Sequence, residues 1–327
     1  MKEIRLQDIA GFQIGSAENE QAGTGCTVII CPQGAPCGVD IRGGGPASRE
    51  NALLNPVAAA DRIHAVLLGG GSAYGLDAAG GVMHYLEERG VGLPVGNAIV
   101  PLVVAACIFD LACGENVRPD AAMGYAACVN AESGETIREG NHGVGTGATV
   151  GKLLDGAGMM KTGLGTYAVQ IGELQVGAVV AVNALGDVVD ERGEILAGLR
   201  TADGKAFADT RRVLFEHYEE LAPILAGAGA ATTNTTIGAV ITNGKFDKTQ
   251  LTKIAALASN GLVRAVRPVN TTADGDSIFA LSVGEVACDL NLVGTAAAYV
   301  VEKAIHRAVY AAESAYGAPA HADIARA

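Results

Sequence analysis

Glycine is the residue that most restricts how this chain can fold. Forty-five of its 327 residues are glycine, set among Ala and Val without the three-residue period of collagen or the monotony of a low-complexity linker. Backbone with so few side-chain atoms stabilises a fold by close approach of main chains, so the pattern points to tightly packed elements. With 49% hydrophobic and 18% charged residues, the chain is long enough for one large α/β domain or two small ones with a substantial core. Intrinsic disorder is excluded.

Five runs read as strands, 27–30, 65–68, 175–182, 238–241 and 277–282, each bounded by Gly, Asn or Asp. Helical spacing of apolar residues predicts helices over 55–64, 75–89, 101–113, 206–221, 248–264 and 295–315. The Gly-dense stretch 140–166 is expected to form loops that approach other backbone closely. The longest uncharged apolar run, AIVPLVVAACIF at 98–109, is shorter than the roughly 18 to 20 residues of a membrane span and contains Pro101. It is expected to be a buried helix, with no membrane partner. The opening MKEIRLQDIAGFQIG carries scattered charges and no apolar h-region, so a cytoplasmic location is expected.

The net charge of -12 argues against nucleic acid, which is held by clustered Lys and Arg that this chain lacks. Seven cysteines (26, 31, 37, 107, 113, 128 and 288) form no CxxC pair and read as reduced thiols in apolar surroundings. The six histidines are scattered, with no HExxH or HxH, so neither a metal nor any other cofactor is expected.

Acyl-transfer motifs are poor. Ser72 in GGGSAYG lacks the glycine spacing of a nucleophile elbow, and no His stands in a triad context. GVGTGATVGKLL has five residues between Gly145 and Gly151 where a phosphate loop needs four, and Leu153 where it needs Ser or Thr.

The unusual junction is GAGAATTNTT at 227–236, a small, uncharged stretch that runs straight into the strand-like IGAVIT. A Thr at the head of a strand is ordinarily a β-branched strand residue. Here the stretch before it can be bent so that the Thr235 hydroxyl attacks the Asn234 carbonyl and converts the amide to an ester. Water then opens the ester and leaves Thr235 with a free α-amino group, whose pKa of about 7.7 to 8.0 suits a base working near neutral pH. Nucleophile and base would share one residue, and amide hydrolysis would need neither His nor metal. Downstream, TTADGDSIFAL places Asp274 and Asp276 either side of Gly275 before a strand. The turn is either simply solvated or aims both acids at one point, where they hold the Thr hydroxyl and ammonium.

In combination, DIRGGGPASREN, AVLLGGGSAYGLDAAGGV, IVPLVVAACIFDL, GATVGKLL, GAVVAVNALGDVVD, NTTIGAVITN and DGDSIFAL resemble the DmpA-like self-processing hydrolases over about residues 15–308. That family comprises L-aminopeptidase/D-esterases, β-peptidyl aminopeptidases and NylC-like endo-type nylon-oligomer hydrolases. The resemblance implies an α/β fold, a four-layer αββα sandwich shared with ornithine acetyltransferases. It also implies one domain over 1–327, cut into subunits 1–234 and 235–327 that stay together. The Asn-Thr at the cut matches the nylon-hydrolase branch, whereas the aminopeptidase branch uses Ser.

By the same resemblance Asp274 and Asp276 match the acids that activate the nucleophile, while Lys152 and Asn183 match further site residues. Lys152 would supply positive charge and the Asn183 amide would donate to the oxyanion. Their plainer readings are a surface cation near a helix start and a turn residue. Tyr74 lines the substrate cleft or packs in the core. Phe109, in IFDL where nylon hydrolases have Tyr, removes a hydroxyl from the substrate region or is plain core, which puts action on synthetic polyamide in doubt. The expected substrate is a small peptide, amide or amino-acid oligomer, and the expected assembly a homo-oligomer, a tetramer of αβ units. The competing readings are an ornithine acetyltransferase-like acyl transferase, whose cleavage motif is not seen here, and a non-cleaving binding protein of the same fold.

Overall fold

A computed structural model describes residues 1–154, 156–226 and 234–324. Residues 227–233 of the small, uncharged stretch before Asn234 lie outside the described residues.

Two sheets form the middle of the molecule. The five-stranded sheet runs in the order Gln13–Asn19, Thr24–Ala35, Ile63–Gly69, Val103–Cys107, Ala47–Arg49. The six-stranded sheet runs Lys2–Ile4, Leu164–Ile171, Leu174–Ala181, Ile237–Gly244, Ser277–Val286, Cys37–Ile41. Each mixes antiparallel pairs with one parallel pair, Ile63–Gly69 with Val103–Cys107 and Ile237–Gly244 with Ser277–Val286.

Side chains alternate across a strand, and here both faces are apolar because both are covered. In the five-stranded sheet Val28, Ile30, Ala65, Leu67, Val103 and Ala105 face helices α1 (Ala78–Glu88) and α2 (Ala121–Ser133). Their neighbours Ile29, Val66, Leu68, Val104 and Ala106 meet Val179, Ile237, Ala239, Ile241, Phe279 and Leu281 of the other sheet. A short pair, α3 (Thr210–Glu216) and α4 (Tyr218–Ala226), precedes Asn234 in the chain. On the far face of the six-stranded sheet, Val176, Ala178, Val180, Val240, Ile278 and Ala280 pack against α5 (Lys248–Ala265) and α6 (Leu290–Tyr310). The order helix, sheet, sheet, helix is the expected αββα sandwich.

All five expected strands are present. Two expected helices are not: 101–113 contains the strand Val103–Cys107, and 55–64 is irregular before the strand Ile63–Gly69. An interior strand buried on both faces reads as a continuous apolar run, as a buried helix does. The backbone at 53–58 is gathered by a distant cation, Lys248, whose Nζ donates to the carbonyls of Leu53, Asn55 and Ala58 at 3.1, 2.9 and 2.9 Å. Helix α6 starts at Leu290 behind an Asp289 cap, five residues earlier than its apolar spacing suggests. The seven cysteines are unpaired thiols, and among the described residues no helix is long and apolar enough to cross a membrane.

Candidate active site

The parallel pairing of Ile237–Gly244 with Ser277–Val286 sets the segments before both strands side by side. Asn234 forms a parallel bridge with Asp274. Both residues at the junction are enclosed, Asn234 2% and Thr235 4% exposed. The Thr235 hydroxyl donates to the Asn234 carbonyl oxygen. That same oxygen accepts the Gly275 N–H at 2.9 Å. Gly275 can come this near because it has no side chain: a Cβ there would lie 2.8 Å from Thr235 Oγ1 and 2.8 Å from the Gly45 carbonyl. Among the described residues, the buried Asn234 Oδ1 and Thr236 Oγ1 have no hydrogen-bond partner.

The two acids hold main chain near Thr235. Asp276 accepts the Thr236 N–H on Oδ1 (2.7 Å) and the Asn270 N–H on Oδ2 (2.9 Å). Asp274 accepts the Leu185 N–H on Oδ1 (3.3 Å), and on Oδ2 both the N–H and hydroxyl of Thr271 (2.9 and 2.5 Å). Both are buried, so the solvated-turn reading fails. Asp276 meets the chain beside Thr235 through the Thr236 N–H, while Asp274 holds Leu185 and Thr271. Burial, and then the charge of Asp274, pushes Asp276 up to about 7. The glycines of DIRGGGP close over this turn: Arg42 and Gly43 donate to the Asp276 carbonyl at 3.0 and 3.3 Å, and Gly45 to the Asp274 carbonyl at 2.9 Å.

Asn183 is fully buried two residues beyond the strand Leu174–Ala181. Its carbonyl accepts both the Thr235 N–H (2.7 Å) and Lys152 Nζ (3.2 Å). Its Oδ1 accepts Lys152 Nζ (2.8 Å) and the Thr149 N–H (3.2 Å), and its Nδ2 donates to the Phe109 carbonyl at 3.1 Å. The surface-cation and turn readings of Lys152 and Asn183 therefore fail, since Lys152 is partly buried, no helix starts beside it among the described residues, and Lys152 Nζ and the Thr235 N–H share the Asn183 carbonyl. Burial pushes the Lys152 ammonium down to about 7, against the pull of Cys113, Asp274, Asp110 and Asp276. In the intact chain the donor seated on the Asn234 carbonyl is the Gly275 N–H, a main-chain group that sequence reasoning did not single out.

Phe109 enters the cluster through its backbone, so a Phe or a Tyr side chain serves that contact equally. Tyr74 is 63% exposed, with the Arg118 guanidinium 4.3 Å from its ring centre. It is therefore no core residue, and it takes no part in the hydrogen bonds described around Thr235. The site so assembled has a hydroxyl, a carbonyl under two donors, an amine near neutrality and a raised carboxylic acid, which are the parts of an acyl-transfer centre.

Comparison with known proteins agrees with that chemistry. The profile of peptidase family S58 matches residues 5–322. An uncharacterised aminopeptidase of Mycobacterium leprae is 36% identical over 347 aligned positions, covering 97% of this chain and 92% of its own. A 6-aminohexanoate-oligomer endohydrolase of Paenarthrobacter ureafaciens is 34% identical over 289 positions, covering 87% of this chain and 76% of its own. Among solved structures, the L-aminopeptidase D-Ala-esterase/amidase of Ochrobactrum anthropi, a variant of the Ntn (N-terminal nucleophile) hydrolase fold, superposes with a TM-score of 0.65. It covers 96% of this chain and 88% of its own at 20% identity, which is a likeness of fold. This chain belongs to peptidase family S58, and it is a hydrolase of amide bonds.

Proposed function

We propose that the chain cuts itself between Asn234 and Thr235 and then hydrolyses small peptides, amides or amino-acid oligomers through a Thr235 acyl-enzyme. The observation that carries this reading is the Asn234 carbonyl, whose oxygen receives both the Thr235 hydroxyl and the Gly275 N–H. As Thr235 Oγ1 bonds to the Asn234 carbonyl carbon, Lys152, poised near neutrality, takes the hydroxyl proton, and Gly275 holds the oxyanion. Collapse breaks the C–N bond, the proton passes to the Thr235 nitrogen, and an ester replaces the amide. Water then hydrolyses the ester to the Asn234 carboxylate and a Thr235 with free hydroxyl and α-amine. In the mature enzyme that amine activates the hydroxyl against a substrate carbonyl placed where Asn234 lies now.

The pieces 1–234 and 235–327 remain one domain, because Ile237–Gly244 is paired on both edges, with Leu174–Ala181 and Ser277–Val286. The same reading expects a cytoplasmic protein assembled as a tetramer of αβ units. Tyr74, beside Arg118 at the surface, remains a candidate for the rim of the substrate cleft.

Denaturing electrophoresis tests the cut. Dividing the 33.0 kDa of the whole chain by residue number gives bands of roughly 24 and 9 kDa, the smaller beginning TTIGAVITN by N-terminal sequencing. Thr235→Ala should leave one full-length band. A single band from wild-type protein after long incubation would overturn the proposal.

A further inference from the structure

Asp110 is a buried carboxylate, 3% exposed, that the reaction just described does not use. It follows the strand Val103–Cys107, and both its oxygens are engaged. Thr24 Oγ1 donates to Oδ2 at 2.7 Å and the Gly71 N–H to Oδ1 at 2.6 Å. The neighbouring backbone is tied to the same turn, with Ile108 N–H donating to the Gly69 carbonyl (2.8 Å) and Ser72 N–H to the Ile108 carbonyl (2.9 Å). The residue between these anchors and the site is Phe109, whose carbonyl receives Asn183 Nδ2.

That contact, with the Thr149 N–H on Oδ1, sets which way the Asn183 amide faces. An amide whose nitrogen is drawn to a carbonyl presents its oxygen on the other side, and here the oxygen takes Lys152 Nζ at 2.8 Å. The Asn183 main-chain carbonyl holds the Thr235 nitrogen. A chain of named contacts thus runs from Thr24 and Gly71 through Asp110, Phe109 and Asn183 to Lys152 and Thr235.

We propose that Asp110 is a positioning residue for the amide-bond chemistry: pinned by Thr24 and Gly71, it fixes the Phe109 carbonyl and so the orientation of Asn183, Lys152 and Thr235. The inference rests on the Thr235 reading above and adds a residue to it. Electrostatics supports the same link. Burial pushes Asp110 up to about 6, while Thr24, Gly71, its own backbone amide and the nearby Lys152 favour its charge. Its carboxylate in turn favours the charged form of Lys152 and of Lys161. The other titratable groups facing Asp110 are Cys107, Cys113 and Tyr316. Those facing Lys152 are Cys113, Asp274 and Asp276.

The test uses Asp110→Asn, which keeps the shape and an acceptor for Gly71 but removes the charge. Wild-type protein is followed first, so that absence of its two fragments reports failure of the Thr235 reading itself. Given wild-type cleavage, folded Asp110→Asn should produce fragments roughly ten- to hundredfold more slowly. The acid limb of its pH–rate profile should move to lower pH, because Lys152 loses a neighbouring negative charge. A merely structural carboxylate would not move that limb. Thr24→Val, which removes one anchor and keeps the carboxyl, should also slow cleavage. Wild-type rate and an unmoved limb in folded Asp110→Asn would overturn the inference. Should that variant not fold, a wild-type cleavage rate in Thr24→Val would overturn it.

Discussion

A methyl group at residue 275 probes the geometry around Thr235 at the smallest scale. The Gly275 N–H reaches the Asn234 carbonyl, and an added Cβ would lie 2.8 Å from both Thr235 Oγ1 and the Gly45 carbonyl, closer than packed atoms allow. Gly275→Ala therefore displaces either the hydroxyl or the donor, although the N–H itself survives. Cleavage should slow by roughly 10²–10³-fold, the loss typical of one misplaced oxyanion donor, as read from the time course of the two fragments. Fragments appearing at the wild-type rate would remove Gly275 from the site. This donor also shows what a sequence conceals. Asn234-Thr235 and the acids of DGDS are legible because each is a short run of chemically distinctive letters beside a strand. A backbone N–H has no letter, and the orientation of the Asn183 amide is set by the Thr149 N–H and by the Phe109 carbonyl, the latter 74 residues away in the chain. Asp110 lies within IVPLVVAACIFDL, yet its anchors, Thr24 and Gly71, come from two other segments.

Between helix and sheet, the glycines that dominate the sequence act by letting main chains approach. On the strand Leu164–Ile171, a Cβ added to Gly165 would lie 1.9 Å from the Ala304 carbonyl and 2.5 Å from the Ala308 nitrogen of α6. Gly165→Ala must lift α6 from the sheet over a core that includes Val301, Ala304 and Ile305. Overpacking of this kind costs about 1–3 kcal/mol, to be read as a lower urea midpoint at unchanged slope in the uncut Thr235→Ala background. An unchanged midpoint would mean that α6 can slide at no cost. The same smallness explains what periodicity missed. Helix α2 has an Asp120 cap on the Met123 N–H and a Gly134 stop, but it buries Gly124, Ala127, Cys128 and Ala131, a face too small to stand out as apolar. The strand Val103–Cys107 failed in the opposite way: with Val104 and Ala106 against one layer and Val103 and Ala105 against the other, it has no polar face to reveal a period of two. Strands such as Ile237–Gly244 were legible through β-branched residues and the turn residues beside them.

Over the whole molecule, the buried charges predict how stability varies with pH. Asp276 and Asp110 are raised from 3.8 to about 7 and about 6, chiefly by burial. Between about pH 4 and 7 the folded protein therefore keeps protons that the unfolded chain has released, and stability falls as pH rises. Lys152 and Lys161 are lowered from 10.5 to about 7, again chiefly by burial. Between about pH 7 and 10 the unfolded chain holds protons that the folded protein has released, so stability rises with pH. The contribution of these four groups is smallest near pH 7, where groups poised for proton transfer are useful. Lys161 isolates the alkaline side, because it is fully buried with Nζ donating to the carbonyls of Gly145, Ala148 and Thr162 at 3.0, 3.1 and 2.5 Å. Lys161→Met removes its proton from the balance, so the slope of unfolding free energy between about pH 7 and 10 should fall by up to about 1.4 kcal/mol per pH unit. Urea unfolding of the uncut Thr235→Ala protein at several pH values, with and without Lys161→Met, measures it. An identical slope in the two proteins would show that Lys161 keeps its proton throughout, held by its three carbonyls against the cost of burial.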